Sequence, residues 1–340
     1  MQSNTATAEQ ALLTVENLSV NIGSIQIINN VSFSIARNQC VGIVGESGSG
    51  KSTLALSLVG MVGNGKDATI NGAIEFDGRR IDQYSNKQLR TIRGKEIAVI
   101  LQDPMSSLNP VLSIGNQLAE SLTCHQQGRE KLKGKALQAA MIAALSAVHI
   151  PAPEQRLLDY PHQMSGGMRQ RIVGAMAIAP KPQLLIADEP TTSLDAILQV
   201  QYLQLLKELQ AKAANTERQL SVLLITHDFG AVAKCCDRVC VMYAGELVES
   251  ADTISIFENP AHPYTAALMA SRPQTNSNDS RLPSIAGFPP RAGEKRSGCQ
   301  FAPRCSKAKE KCLTKSPPLS LMAHNHHAAC WYPNGGHSHG

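Results

Sequence analysis

Apolar and polar residues follow different patterns in successive segments of the first eighty residues. Segments 12–22 and 29–36 alternate between the two kinds, as antiparallel strands with one exposed face do. Segment 40–46 is almost continuously apolar, which predicts a buried central strand. Segment 70–78 predicts one more strand that ends in a turn.

The same two patterns return in the second half of the chain. Segments 183–190 and 221–228 are apolar and predict two buried strands, with a helix over 196–214 between them. Segment 238–250 predicts a hairpin whose turn is Ala244–Gly245. Because strands and helices alternate here, the pattern indicates an α/β fold.

Composition changes beyond about residue 270. The whole chain has 340 residues, is 43% apolar and carries a net charge of +5, so it can bury a large core in two or three parts. Residues 281–340 hold nine Lys and Arg against two Glu. The rest of the chain is therefore slightly negative, and we expect no nucleic-acid partner for it.

The ends of the chain and its apolar runs bear on its compartment. No basic residue precedes an apolar run at the N-terminus, so we expect no signal peptide. The apolar stretch at 137–148 is too short to span a membrane. We therefore expect a soluble cytoplasmic protein, in which nine cysteines are not disulfides.

A glycine-rich loop follows the predicted strand at 40–46 and precedes a segment that can form a helix. Its residues are Gly45, Glu46, Ser47, Gly48, Ser49, Gly50, Lys51, Ser52 and Thr53. This order fits G-x-x-x-x-G-K-[ST], in which backbone N–H groups surround phosphates, the lysine adds charge and the serine binds Mg²⁺. The alternative is a chance match in a glycine-rich linker.

Two carboxylates end the predicted strand at 183–190. Asp188 suits Mg²⁺ binding, and Glu189 beside it suits the general base that activates water. A kinase must position an acceptor hydroxyl instead, so this pair favours ATP hydrolysis. The alternative is an ordinary strand end whose acidic residues face solvent.

A second anion site is predicted at "MSGGM". Ser165, Gly166 and Gly167 precede a basic stretch that can start a helix, where free N–H groups and the helix dipole favour an anion. One nucleotide does not need two such loops. A simple helix cap by Ser165 is the alternative interpretation.

Six ordered motifs over residues 12–250 resemble those of ATP-binding cassette (ABC) proteins: "GESGSGKST", "ILQDP", "MSGGMRQR", "LLIADEP", "SLD" and "LLITHD". The resemblance implies ATP and Mg²⁺ as ligands. It also implies a P-loop NTPase with a RecA-like α/β core, an antiparallel β subdomain, and a helical signature subdomain over about 105–180.

The resemblance assigns roles to residues outside the P-loop. Ser165, Gly166 and Gly167 would cap the γ-phosphate held by a second ATPase subunit. Gln102 would contact Mg²⁺ and the attacking water, and would sense the membrane partner. His227 would contact the γ-phosphate and orient Glu189.

Two more positions follow from the same resemblance. Asp195 would belong to the loop that meets the partner subunit. Ile22 occupies the place of the aromatic residue that stacks on adenine in the family. Isoleucine can pack against a base but has no π-face, so the chain departs from the family pattern here.

Segments 102–118 and 259–268, with the cysteine-bearing tail, resemble the ATPases of dipeptide, oligopeptide and nickel importers. This branch implies import of peptides, nickel or a metal chelate. Its implied partners are a paralogous ATPase, two integral-membrane permeases and an extracytoplasmic substrate-binding protein. The chain would lie peripherally on the cytoplasmic face of the inner membrane. A soluble ABC ATPase of DNA repair or translation is the alternative; a repair protein would need a long insertion between Gln102 and Ser165, and a translation factor two cassettes in one chain.

Four cysteines of the tail, Cys299, Cys305, Cys312 and Cys330, suit a metal centre in a cytosolic segment. The resemblance implies a [4Fe–4S] cluster; zinc and free thiols are the alternatives. The other five, at 40, 124, 235, 236 and 240, are expected as buried apolar residues. Histidines at 324–339 predict a solvated tail, with nickel handling as the alternative.

The predicted domain organisation has three parts. Residues 1–270 form the nucleotide-binding domain, 271–284 a polar linker, and 285–340 the cysteine-bearing extension. Because the linker separates the two domains, we expect ATP binding at Lys51 to survive loss of the tail cysteines.

Overall fold

The computed structural model describes residues 11–63, 67–103, 107–126, 131–192, 194–216, 218–271, 284–291, 293–294 and 296–335. These residues divide into two compact units. The first unit contains the described residues of Met1–Leu12, Ile35–Cys40 and Gln83–Ile225, and the second those of Leu13–Ser34, Val41–Asp82 and Thr226–Gly340. The predicted linker at 271–284 lies outside the described residues except at its two ends.

The strands of the described chain are β1 (Ala11–Ile22), β2 (Ile25–Ala36), β3 (Cys40–Val44), β4 (Ala68–Phe76), β5 (Arg79–Arg80), β6 (Ile97–Ile100), β7 (Leu184–Asp188), β8 (Ser221–Thr226), β9 (Arg238–Tyr243), β10 (Glu246–Asp252), β11 (Ser320–Ala323) and β12 (His326–Ala328). Every strand predicted from the apolar pattern is present. The short strands β5, β6, β11 and β12 carry too few residues for a pattern to predict them.

The α-helices are α1 (Lys51–Leu58), α2 (Asn86–Ile92), α3 (Ile114–Thr123), α4 (Gly134–Ala147), α5 (Pro153–Arg156), α6 (Gly166–Ile178), α7 (Ala196–Ala213), α8 (Phe229–Cys235), α9 (Thr253–Glu258), α10 (Pro263–Ala270) and α11 (Glu310–Thr314). Short 3₁₀ turns cover Ile81–Gln83, Pro161–Gln163 and Ala302–Arg304. Among the described residues, no helix has both the length and the apolarity needed to cross a membrane.

The first unit combines parallel strands with helices. Strands β8, β7 and β6 pair in that order, and both pairings are parallel. All residues of β7 and β8 are buried, as continuous apolar strands predict. Helices α3, α4 and α6 pack together and lie within the region predicted to be helical.

The second unit contains an antiparallel sheet in the order β2-β1-β4-β5. The alternating pattern of β1 and β2 is thus confirmed as that of strands with one buried face. In β1, for example, Leu13, Val15, Leu18 and Val20 are at most 1% exposed.

The second unit also contains the strands β11-β12-β10-β9-β3 in spatial order. Strand β3 runs parallel to β9, and the other pairs are antiparallel. The predicted β9–β10 hairpin is confirmed, with Ala244 at φ 49° and Gly245 at φ 83°. Two positive φ angles match the tight turn whose twist suits a hairpin.

Strand β12 attaches the C-terminal extension to β10 through a buried carboxylate. Glu249 of β10 is 0% exposed and accepts hydrogen bonds from the backbone N–H groups of Ala261 (2.6 Å) and His262 (2.9 Å). Its Oε1 also lies 2.7 Å from His326 Nε2 of β12. Loss of this buried carboxylate would leave three donors without an acceptor. The contact therefore stabilises the packing of β12 and residues 261–262 on β10.

Candidate functional site

The P-loop runs from buried strand β3 into helix α1 in a conformation that depends on glycine. Gly48 and Gly50 have φ angles of 80° and 98°, which residues with a side chain rarely adopt. A Cβ at Gly45 would collide with the carbonyl oxygen of Met242. The course of the loop therefore depends on glycine at these positions, as it does in loops that surround phosphates with backbone N–H groups.

Lys51 is the first residue of α1 and is 5% exposed. Its ammonium donates to the carbonyl oxygens of Gly45 (2.8 Å) and Glu46 (2.9 Å). A buried ammonium needs such partners. The next two residues, Ser52 and Thr53, are half-buried.

Glu46 of the P-loop is held at four atoms: its backbone nitrogen, its carbonyl oxygen and both carboxylate oxygens. Its N–H donates to the hydroxyl oxygen of Tyr264 (2.9 Å), and its carbonyl accepts from Lys51. Its carboxylate forms a bidentate pair with Arg304, at 2.6 and 3.0 Å. The hydrogen bonds to Glu46 hold the pKa of Arg304 above its usual value. The extension thus contacts the P-loop directly, so the prediction that the linker keeps them separate is wrong.

The carboxylates of the first unit lie at the end of β7. Asp188 is 4% exposed. Glu189 is half-buried and has a φ of 45°, an uncommon conformation for a residue with a side chain. Its N–H donates to the carbonyl of Ile225 (2.9 Å), which fixes the strained backbone.

Two side chains of the first unit hold the Glu189 carboxylate. Thr192 Oγ1 donates to Glu189 Oε2 at 2.9 Å, and Gln102 Nε2 lies 3.4 Å from the same oxygen. The structure thus brings together Gln102 and Glu189, two of the three residues predicted to be catalytic, although their mutual contact was not predicted. Thr192 was not predicted, although its spacing of three residues from Glu189 across a turn is a detectable signal.

The predicted second anion site is the N-terminus of α6. Ser165 caps the helix by accepting from the N–H of Met168 (3.3 Å), so the cap interpretation is confirmed. Ser165 and Gly166 are exposed, and a Cβ at Gly166 would meet no atom within 4 Å. The loop therefore leaves open space in front of the helix N-terminus, where an anion is favoured.

Asp195 caps the neighbouring helix α7. Its Oδ1 accepts from the N–H groups of Ile197 (3.1 Å) and Leu198 (2.9 Å). A Cβ at Gly167 would lie 3.2 Å from Leu198, so the loop at 165–167 and the start of α7 are neighbours. Ser193, which precedes this cap, lies outside the described residues.

Two predicted ligands of the nucleotide lie in the second unit. Ile22 is the last residue of β1, half-buried and paired in register with Ala68. His227 directly follows β8 and is exposed. Both positions remain predictions as nucleotide contacts.

The four tail cysteines line one cavity of about 10 Å³, room for roughly one water molecule. Cys299 N–H donates to the carbonyl of Cys312 at 2.8 Å. Burial raises the pKa of the Cys299 and Cys330 thiols to about 11. Across the described ranges, no three His, Cys, Asp or Glu side chains are arranged to hold a metal ion. Thiols are ligands of zinc and iron, but this arrangement does not show a metal site, and the predicted cluster stays a prediction.

The remaining cysteines follow the expectation except at one position. Cys40, Cys235, Cys236 and Cys240 are buried, whereas Cys124 is exposed, so that part of the prediction is wrong. Of the histidine-rich segment, His326 is buried rather than solvated because it contacts Glu249. Residues 336–340 lie outside the described chain.

Comparison with protein families gives two matches. Residues 28–192 match the family model described as ABC transporter, and residues 248–312 match the model described as oligopeptide/dipeptide transporter, C-terminal region. The second match includes Arg304 and three of the four cysteines that line the cavity.

Similar proteins span nearly the whole chain. The dipeptide transport ATP-binding protein DppD of Escherichia coli (strain K12) is 41% identical over 95% of this chain and 97% of its own length. DppD of Bacillus subtilis (strain 168) is 42% identical over 95% of both chains. A probable peptide ABC transporter ATP-binding protein, y4tR of Sinorhizobium fredii, is 46% identical over 90% of this chain and 89% of its own.

Solved structures resemble the fold. The ATP-binding cassette MJ0796, dimeric and bound to ADP and Pi, has a TM-score of 0.60 at 25% identity and covers 71% of this chain and 98% of its own. The cbiO1 protein of Clostridium perfringens, part of an ABC transporter complex, has a TM-score of 0.61 at 27% identity, covering 73% and 91%. The predicted P-loop NTPase fold is confirmed.

Proposed function

This chain belongs to the ABC transporter family, as an ATPase of its oligopeptide and dipeptide branch, and from that premise we propose that it hydrolyses ATP to drive import of di- or oligopeptides. The carrying observation is the Glu189 carboxylate, held by Gln102 and Thr192 at the end of a buried strand. A positioned carboxylate of this kind suits water attack on a phosphoryl group. Relatives named for dipeptide or peptide transport support the cargo.

We infer that the P-loop binds the phosphates of ATP through its backbone N–H groups and Lys51. The fit rests on the loop itself, because Gly48 has a φ of 80° and a Cβ there would meet no atom within 4 Å, so this part of the loop is open to a ligand. Lys51 would leave its two carbonyl partners in part to meet the β- and γ-phosphates. Ser52, Asp188 and Gln102 would hold Mg²⁺, which supplies charge stabilisation to the phosphoryl oxygens. Ile22 would pack against the adenine.

In the proposed reaction, Glu189 takes the proton from the attacking water. Gln102 orients this water, and His227 contacts the γ-phosphate and orients Glu189. The strained backbone of Glu189 supports the assignment. Such conformations cost free energy, persist only where the surrounding structure fixes them, and are concentrated at active sites.

We propose that Ser165, Gly166 and Gly167 cap the γ-phosphate held by another ATPase subunit, with Asp195 at the same subunit contact. The open space at Gly166 and the dimeric state of MJ0796 support this arrangement. The partners would be a paralogous ATPase, two integral-membrane permeases and an extracytoplasmic binding protein. The chain would then lie on the cytoplasmic face of the inner membrane.

We also infer a metal centre at Cys299, Cys305, Cys312 and Cys330. Four thiols that share one cavity support it, and the [4Fe–4S] cluster is the species we propose. We retain the division into a nucleotide-binding domain over 1–270 and an extension over 285–340 as part of the proposal.

The test is phosphate release by the chain assembled with its paralogous ATPase, permeases and binding protein in lipid vesicles. We expect a dipeptide or oligopeptide to stimulate release several-fold, and the isolated chain to be a poor ATPase. Stimulation by Ni²⁺ and by none of the peptides would show that nickel, and not a peptide, is the cargo. Equal hydrolysis by the isolated chain at every concentration would contradict the requirement for a second subunit.

A further inference from the structure

Arg304 of the C-terminal extension reaches the P-loop 258 residues earlier in the chain. Its Nη1 donates to Glu46 Oε2 at 2.6 Å and its Nη2 donates to Glu46 Oε1 at 3.0 Å. The Arg304 side chain is only 5% exposed and that of Glu46 24%. A shielded bidentate pair is both stronger and more directional than a surface ion pair.

The guanidinium of Arg304 is fixed from its other sides as well. Its Nε donates to the carbonyl of Ala286 (3.0 Å), and its Nη1 lies 3.3 Å from the Tyr243 hydroxyl. It also lies over the rings of Tyr243 and Phe301, at 5.8 and 6.0 Å from their centroids. Arg304 therefore has partners other than Glu46 that restrict its side chain, so little additional side-chain entropy is lost in the pair.

The backbone of Glu46 connects the Arg304 contact to Lys51 and Ser49 of the P-loop. The carbonyl of Glu46 accepts from Lys51 Nζ at 2.9 Å, and the N–H of Ser49 donates to the same carbonyl oxygen at 3.2 Å. On its other side, the N–H of Glu46 is tied to Tyr264. A shift of Glu46 would therefore move the anchor of Lys51 and the turn of the loop together.

Charge gives a second reason for the contact. Glu46 places a carboxylate in a loop whose N–H groups gather negative phosphates. Without a cation, this carboxylate would repel a nucleoside triphosphate. The repulsion is larger where water is excluded, because the dielectric constant is lower there. Arg304 neutralises it from the side of the extension.

We propose that Arg304 is a positioning residue for ATP binding, which acts through Glu46 and contacts no phosphate itself. The C-terminal extension thereby completes the P-loop of its own chain. This inference rests on the proposed nucleotide site at Lys51.

The test compares Arg304→Gln with the wild type in the assembled transporter. We expect KM for ATP to rise about ten-fold while kcat at saturating ATP stays within about two-fold, because the chemistry at Glu189 is untouched. Arg304→Lys keeps the charge and should stay within about three-fold of wild-type KM. Arg296→Gln is the matched control, since Arg296 forms an exposed pair with Glu294 in the same extension, and its KM should not change.

A double-mutant cycle decides whether Arg304 acts through Glu46. In a Glu46→Gln background, Arg304→Gln should change the Kd for a fluorescent ATP analogue by less than about two-fold. An equal loss in both backgrounds, or wild-type Kd and KM in Arg304→Gln itself, would overturn the inference. Thermal unfolding identifies a variant that fails to fold, in which case Arg304→Lys and Glu46→Gln carry the test. If Lys51→Ala binds the analogue as the wild type does, the proposed nucleotide site fails instead.

Discussion

At the scale of single residues, the catalytic proposal depends on how Glu189 is held. The backbone of Glu189 is strained, its N–H is fixed to Ile225, and its carboxylate contacts Thr192 and Gln102. These contacts limit where the carboxylate can point, and the orientation of a general base is as important as its pKa.

Glu189→Gln should leave ATP binding intact and reduce turnover by about 10²–10⁴-fold, because the amide keeps the shape but cannot accept the proton of water. Steady-state phosphate release from the assembled transporter measures the loss. Turnover near that of the wild type would show that another group activates the water.

Thr192→Val should lower kcat by about two- to ten-fold without changing the Kd for ATP. The substitution keeps the size of the side chain but removes the hydroxyl that donates to Glu189. Thr192→Ser retains that donor and is the matched control. If Val and Ser variants turn over equally, the hydrogen bond has no role in positioning the carboxylate.

At the scale of elements, helix starts and strand edges carry the interactions that motifs alone do not describe. The N-terminus of α6 combines a serine cap with an open glycine. The edge of β10 holds the extension through Glu249 and β12. The α6 N-terminus is therefore suited to bind a ligand, whereas the contacts of Glu249 stabilise the fold.

Ser165→Arg should abolish hydrolysis by blocking the α6 N-terminus with a long cation. Photo-crosslinked ATP should still label this subunit, because its own P-loop is unchanged. Ser85→Arg, at the cap of α2, places the same cation on another helix and should keep wild-type turnover. Loss of the label in Ser165→Arg would mean that the loop belongs to its own P-loop site.

Glu249→Gln should destabilise the fold by about 1–3 kcal/mol, because an amide cannot accept from all three donors that surround this buried carboxylate. Chemical denaturation followed by circular dichroism measures the change. Glu258→Gln, at an exposed position, is the control. An unchanged midpoint for Glu249→Gln would contradict the role assigned to this contact.

At the scale of the whole molecule, the C-terminal extension is connected to the nucleotide-binding part by more than its linker. Arg304 contacts Glu46, and Arg304 immediately precedes Cys305, which lines the cysteine cavity. The rings of Tyr243, Tyr264 and Phe301 lie between 4.7 and 5.3 Å apart by their centroids. Two adjacent residues, Arg304 and Cys305, therefore join the P-loop contact to the cysteine cavity.

Cys305→Ser should prevent assembly of the proposed metal centre and raise KM for ATP, since Arg304 is bonded to the backbone of this residue. Anaerobically purified wild-type protein should contain iron and acid-labile sulfide, and the variant should contain neither. Cys124→Ser, at an exposed cysteine outside the extension, is the control. Stoichiometric zinc without iron would show a zinc site in place of the proposed cluster. Free alkylation of all four thiols in the folded wild-type protein would contradict any metal centre.

The sequence by itself determined the local features of this protein. Apolar continuity predicted β3, β7 and β8 because a strand buried on both faces must be apolar at every position. Glycines of the P-loop and Gly245 of the hairpin turn were predictable because positive φ angles exclude most residues with a side chain. Motif order supplied the family, since six motifs in sequence constrain far more than any one of them.

Only the tertiary structure decided which distant residues meet. The contact of Arg304 with Glu46 joins segments 258 residues apart, and the contact of His326 with Glu249 joins segments 77 residues apart. Neither contact could be predicted from the hydrophobic pattern. A single charged or polar residue in a loop or short strand has the same sequence context whether it faces solvent or a buried partner. Burial turns such a residue into a fixed contact, and burial depends on the whole fold.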